Sequence, residues 1–133
     1  MDHLSRLERS ELMSRIRGKN TTPEMIVRRF VWAAGYRYRL HDKHLHGSPD
    51  LVFSTKKKVV FVNGCFWHGH KCRKGKLPKT RTEFWKRKIE RNKKRDSSCV
   101  RKLRREGWSS LIIWECETKN PRRMRKLLES LEK

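Results

Sequence analysis

The chain has 133 residues, 38% charged and only 35% apolar, with 36 Lys+Arg against 14 Asp+Glu and a formal net charge of +22. That length suits one lean core, and the charge excludes a merely solvated surface, because self-repulsion of this size opposes compaction unless a polyanion, here nucleic acid rather than a membrane, relieves it. No stretch approaches the roughly 18 apolar residues of a membrane span, and the N-terminus lacks the apolar run of a signal peptide, so an intracellular protein is expected.

Residues 1–20 are mostly polar and read as a DNA-contacting arm ahead of a domain spanning 21–133. Within the arm a short helix is expected from Ser10 to Arg17, where Leu12, Met13 and Ile16 share a face. A firmer helix starts at Thr21, where Thr21-Thr22-Pro23-Glu24 combines a capping box with an early proline. Ile26, Val27, Phe30, Val31 and Ala34 form its apolar stripe, Trp32 is expected in the core, and Gly35 ends it.

Tyr36, Tyr38 and Leu40 alternate with Arg37 and Arg39, which predicts a strand. His41 to Pro49 is a loop, Asp50 to Phe53 a second strand, Ser54 to Lys57 its turn, and Val59 to Val62 a buried third strand. From Thr82 to Glu106 Trp85, Ile89, Val100 and Leu103 keep helical spacing, with a break expected near Asp96 to Ser98 and a stop at Gly107. Leu111 to Trp114 is a fourth, buried strand, and Trp108 and Trp114 at its ends are expected in the core. Asn120-Pro121 caps a last helix carrying Met124, Leu127, Leu128 and Leu131. The order predicts an α/β fold: a mixed sheet flanked by helices, with the long helix crossing over to lay the fourth strand parallel to the third.

The segment from Asn63 to Thr80 has no periodicity and carries the chemistry. It holds Gly64-Cys65-Phe66-Trp67-His68-Gly69-His70-Lys71-Cys72, two thiols, two imidazoles and two large aromatics in a polar loop. In a reducing compartment such spacing favours a metal over disulfides. Cys65, His70 and Cys72, joined by Cys116 after the fourth strand, make a closed three-cysteine, one-histidine set of the structural zinc type. His68 competes with His70 as ligand, and His70 is preferred because His68 directly follows the aromatic pair. Cys99, at helical spacing from Leu103, reads as a small buried apolar residue. Acids are scarce. Asp50 is either a turn aspartate or a strand-edge carboxylate suited to Mg2+, which takes few protein oxygens and keeps several waters. His3, His41, His44 and His46 read as surface or loop residues, with phosphate contact the alternative for those near Asp50.

The sequence resembles the very short patch repair (Vsr) DNA mismatch endonucleases over nearly its whole length. The resemblance rests on Arg9-Ser10 with Met13 and Ile16, on Thr22-Pro23-Glu24, and on Gly47-x-Pro49-Asp50. It continues through Phe61-Val62-Asn63-Gly64-Cys65-Phe66-Trp67-His68 with His70 and Cys72, then Thr80-Arg-Thr-Glu-Phe-Trp85, Gly107-Trp108 and Trp114-Glu-Cys116. It implies a restriction-endonuclease-like fold with a structural zinc site. It also implies catalytic Mg2+ held by Asp50 and the main-chain carbonyl of Val62, with Glu24 acting through water and His68 as general base. Cys65, His70, Cys72 and Cys116 match the zinc ligands, and Phe66, Trp67 and Trp85 match aromatics that wedge into DNA at the mismatch. The third strand has neither the second acid nor the lysine usual in that fold. Asn63 stands where some members have histidine, and it can donate a hydrogen bond but no proton at neutral pH.

The expected activity is a Mg2+-dependent nick in one DNA strand, 5′ to the T of a T:G pair left by deamination of 5-methylcytosine. Two rivals are a restriction-type nuclease acting on matched duplex and an inert zinc module that binds DNA. The partners expected are T:G-mismatched double-stranded DNA and mismatch-repair helper proteins, for a monomer in a bacterial or archaeal cytoplasm.

Overall fold

The computed structural model describes residues 20–133, so the expected helix from Ser10 to Arg17, His3 and nearly all of the arm lie outside the described residues. Helix α1 (Thr22–Ala33) begins as its sequence dictates: the Thr21 hydroxyl accepts from the Glu24 amide at 3.3 Å, and Pro23 occupies the first turn. Strands β1 (Arg39–Leu40), β2 (Leu51–Phe53) and β3 (Lys58–Asn63) follow, then the long helix α2 (Thr82–Arg105), β4 (Ser109–Trp114) and α3 (Pro121–Glu132).

The four strands form one mixed sheet in the order β1-β2-β3-β4. The first two pairings are antiparallel. Strand β4 runs parallel to β3, with Val60 opposite Leu111 and Asn63 opposite Trp114, and α2 makes the crossover such a pair requires. Alternation along β2 splits the core between the two faces of the sheet. Leu51 and Phe53 join Val27 and Val31 of α1 and Met124, Leu127 and Leu131 of α3, whereas Val52 and Val59 meet Leu103 of α2 on the other face.

Helix α2 is continuous, with no break at Asp96 to Ser98. Asp and Ser in a helix interior each cost less than about 1 kcal/mol, and no Gly or Pro interrupts the segment; Gly107, at φ +89°, ends it. The expected strand from Tyr36 shrinks to Arg39–Leu40, because Tyr36 and Tyr38 turn onto the core and the Tyr38 hydroxyl donates to the Arg28 carbonyl at 3.1 Å. Trp32 is not core: it is 50% exposed, with the Arg37 guanidinium 3.5 Å above its ring. The buried stripe of α1 runs through Val27 and Val31, and Trp32 sits about 100° around the helix from Val31. Strand β4 is not fully buried, because it forms a sheet edge: Ile113 is covered, Ile112 is exposed, and Trp108 and Trp114 are half-buried.

This topology sends several chain segments to one end of the sheet. The parallel pair β3 and β4 both finish there, at Asn63 and Trp114. The antiparallel strands place the start of β2, hence Asp50, and the end of β1, hence His41, at the same end.

Candidate functional site

At that end Glu24 of α1, His41 and Asp50 bring side-chain donor atoms within 4.8 Å of one another. The Glu24 side chain, only 2% exposed, accepts from the Asn20 amide at 3.1 Å and from His41 Nε2 at 2.9 Å. Asp50 Oδ2 accepts from the Val62 amide at 2.7 Å, and Oδ1 lies 4.0 Å from His41 Nε2. The contact seen at Val62 thus involves its N–H rather than its carbonyl. Burial pushes the Asp50 carboxyl up to about 7; the Val62 amide pulls the other way, the Glu24 charge adds to the rise, and His41 offsets part of it. Two acids crowded out of water in this way, with His41 beside them, are a group whose donor atoms could hold a metal ion.

Asp50 opens onto a cleft of about 440 Å³ whose walls include Asn63, His68, Arg95, Asp96 and Cys99. Asn63 is buried at the tip of β3. His68 Nδ1 lies 2.5 Å from Asp96 Oδ2. With the ring donating through Nδ1, Nε2 keeps its lone pair, the arrangement a general base requires. Cys99 is half-buried rather than core, and its thiol packs against Gly47 at the cleft wall.

The loop after β3 is wound tightly. The His68 amide donates to the Gly64 carbonyl and the His70 amide to that of Cys65. Gly69, at φ +63°, lies so close to α2 that a Cβ there would stand 2.6 Å from both Ile89 and Lys93. The loop brings Cys65, His70 and Cys72 to Cys116, with all four donor atoms within 4.8 Å of one another. The four cysteines are free thiols. Cys116 Sγ lies 3.5 Å from His70 Nδ1, the Cys116 amide donates to the buried Cys65 sulfur at 3.4 Å, and the His70 ring stacks on Trp114 at 4.2 Å. Burial pushes the Cys65 thiol up to about 12 and raises that of Cys116, whereas the His70 hydrogen bond brings Cys72 down to about 6. Three sulfurs and an imidazole converging this closely match the donor set and spacing of a closed tetrahedral zinc site, in which the cation takes the place of the thiol protons. His68 points away from this group, to Asp96.

The aromatic residues also converge. Phe66, Trp67 and Trp85 pack edge to face with centroids 5.0 to 5.8 Å apart, and Phe84 abuts Trp85. Phe66 and Trp67 are half-buried while Trp85 is only 8% exposed, so the pair rests on Trp85 rather than standing free. Asn92 of α2 anchors the Trp67 carbonyl at 2.9 Å, and Lys88 lies 5.6 Å from the Trp67 ring.

Two site residues escape sequence reasoning. Asp96 resembles a helix interruption, yet it is the lone acid among the basic residues from Arg91 to Arg105, and that isolation was the legible signal. His41 carried no signal: its partner Glu24 lies 17 residues away on another element.

The sequence profile of the DNA mismatch endonuclease Vsr family matches residues 1–74. Over 116 residues the chain is 50% identical to the Type II nicking enzyme V.XorIIP of Xanthomonas oryzae pv. oryzae, covering 87% of this chain and 85% of that one. It is 45% identical over 124 residues to the Type II nicking enzyme V.NmeAIP of Neisseria meningitidis, covering 93% and 89%. To the DNA mismatch endonuclease Vsr of Escherichia coli it is 41% identical over 108 residues, covering 81% of this chain and 69% of that one. The chain belongs to the Vsr family of DNA endonucleases.

The buried Asp50 makes a stability prediction. Its folded pKa of about 7 lies above the ordinary 3.8, so the folded state holds this proton more tightly, and stability is lost as pH rises from about 4 to about 7. With no divalent cation added, Asp50→Asn is therefore expected to be more stable than the native protein at pH 8, by on the order of 4 kcal/mol. The gap should close toward pH 4 in denaturant melts; a gap independent of pH would mean the carboxyl ionises freely.

Proposed function

We propose that the protein is a Mg2+-dependent, zinc-braced DNA endonuclease of restriction-endonuclease-like fold that nicks one strand 5′ to the T of a T:G mismatch. The observation that carries this reading is one cleft shared by Asp50 and the His68–Asp96 pair, in a chain of an endonuclease family. Asp50 and the Val62 carbonyl would hold Mg2+, with Glu24 reaching it through water. Bound there, Mg2+ supplies charge stabilisation to the phosphate oxygens during displacement.

The protein's own groups do the rest. His68 Nε2 takes a proton from the attacking water, while Asp96 holds Nδ1–H, fixes the tautomer and steadies the imidazolium that forms. Asn63, at the cleft wall, donates a hydrogen bond to phosphate or leaving group. The exposed lysines and arginines of α2 track the backbone phosphates. Phe66 and Trp67 form the wedge, with Trp85 packed beneath them as its third ring. Inserting it costs a few kcal/mol of unstacking, less where a mismatch has already weakened the stack, and this difference favours mismatched sites. Cys65, His70, Cys72 and Cys116 would hold a structural zinc, tying the wedge loop to the end of β4.

The deciding assay incubates T:G-containing and matched duplexes with Mg2+ and either native protein or Asp50→Ala. Native protein should nick only the mismatched strand, and Asp50→Ala neither duplex. Equal cutting of both duplexes would mean a restriction-type nuclease, and no cutting a binding module. Duplex binding should weaken with salt at a log–log slope of about −7, for roughly 8 neutralised phosphates.

Asp96→Asn should lower kcat by about a hundredfold or more while leaving duplex binding near native; unchanged turnover would remove Asp96 from the mechanism. Cys116→Ala should lose zinc by metal analysis and melt earlier than native protein. Full zinc retention would contradict the four-ligand site.

A further inference from the structure

Nothing above gives His41 a task, yet its placement is specific. It follows β1 directly, and its amide donates to the Asp50 carbonyl at 3.2 Å, continuing the pairing of β1 with β2 by one step. Its backbone is left-handed at φ +47°, a conformation that is strained for a residue with a side chain, although histidine visits it more readily than most. The side chain is 13% exposed and spans two elements: Nε2 lies 2.9 Å from Glu24 Oε2 on α1 and 4.0 Å from Asp50 Oδ1.

The surrounding contacts define what that bridge does. Asp50 is oriented by the Val62 amide on Oδ2, which leaves Oδ1 toward His41. Glu24 Oε1 is taken by the Asn20 amide, and Arg28 approaches Oε2 only at 3.5 Å. The His41 contact is therefore the shortest to Glu24 and links Oε2 to the Asp50 side. When both carboxylates are ionised they repel each other, and a donor between them favours keeping both turned inward before a cation arrives.

We propose that His41 is a positioning residue of the metal site: through its Nε2–H it holds the Glu24 carboxylate beside Asp50 and so pre-assembles the seat for the divalent cation. It orders the carboxylates and is not a ligand itself. This rests on the reading of Asp50 and Glu24 as the cation site.

The test is a titration of the full-length protein with Mn2+ alone, followed by electron paramagnetic resonance, for native protein, His41→Ala and His41→Gln. Removing an outer-shell partner typically weakens metal binding about ten- to a hundredfold. His41→Ala should fall in that range, and its half-saturating Mg2+ for nicking should rise more than its kcat falls. His41→Gln, which keeps an N–H donor, should recover most of the affinity. Thermal melts of the three proteins should agree within a few degrees.

Equal Mn2+ affinity in His41→Ala and native protein would overturn the proposal, as would a glutamine variant no better than the alanine one. Nitrogen coupling on bound Mn2+ that disappears in His41→Ala would make His41 a ligand and overturn its positioning role. Failure of native protein to bind Mn2+ at all would instead remove the cation site on which the inference stands.

Discussion

The parallel pairing of β3 with β4 is the constraint on which the rest of the molecule depends. It sets Asn63 opposite Trp114, so the loop leaving β3 and the turn leaving β4 start side by side. Only then can Cys65, His70 and Cys72 meet a cysteine more than forty residues later in the chain. The same pairing requires a long crossover, and the crossover is α2. Because α2 must pass over the sheet to connect these strands, it brings Asp96 to His68 and Asn92 to the Trp67 carbonyl. A one-residue slip in this register would turn alternate side chains to the other face. It would part the cysteine group and empty the cleft together.

Helix α2 reconciles two demands in conflict. A protein with a net charge of +22 needs a dense basic surface, while a small core needs every apolar contact. Over 24 residues α2 buries only Trp85, Ile89 and Leu103. Each lies at a junction: Trp85 under the aromatic pair, Ile89 against Gly69 of the loop, and Leu103 in the second core cluster. The rest of its surface is free to carry lysine and arginine. The region between Asn63 and Thr82 contains only a single 3₁₀ turn, Arg73–Gly75, so its order depends on the cysteine–histidine group and on these few contacts with α2. That is where a bound metal would contribute most to a lean domain.

What could be read from sequence follows from how locally each feature is encoded. Helix α1 was legible because its start is written in adjacent residues, Thr21 to Glu24, and the β2–β3 hairpin because its turn and alternation are contiguous. The parallel placement of β4 followed from element order. The errors arose where tertiary context overrides local pattern. Asp96 to Ser98 looked like a break because these residue types favour caps and turns, yet no proline or glycine enforces one. Trp32 looked like core because its helix is amphipathic, although one residue of phase puts it in water beside Arg37. Donor types at the cysteine–histidine group were visible in the motif; the contacts of His41 with Glu24 and of Asp96 with His68 span separate elements and have no local signature.

The acidic group at Asp50 shows why those long-range contacts matter. A carboxyl pushed up to about 7 by burial opposes folding when it ionises, and a structure selected for stability alone would have an amide or an apolar residue there. The surrounding fold instead supplies the Val62 amide and the His41 ring, which orient the carboxylates while leaving part of their charge uncompensated. The ionised Asp50 group destabilises the cation-free chain, and a bound cation would relieve it. The Cys65 thiol, pushed up to about 12 by burial, differs: it keeps its proton near neutral pH whether folded or unfolded, so a cation there would have to displace that proton. Cation binding at either group would thus be linked to stability, at two places gathered at one end of the sheet.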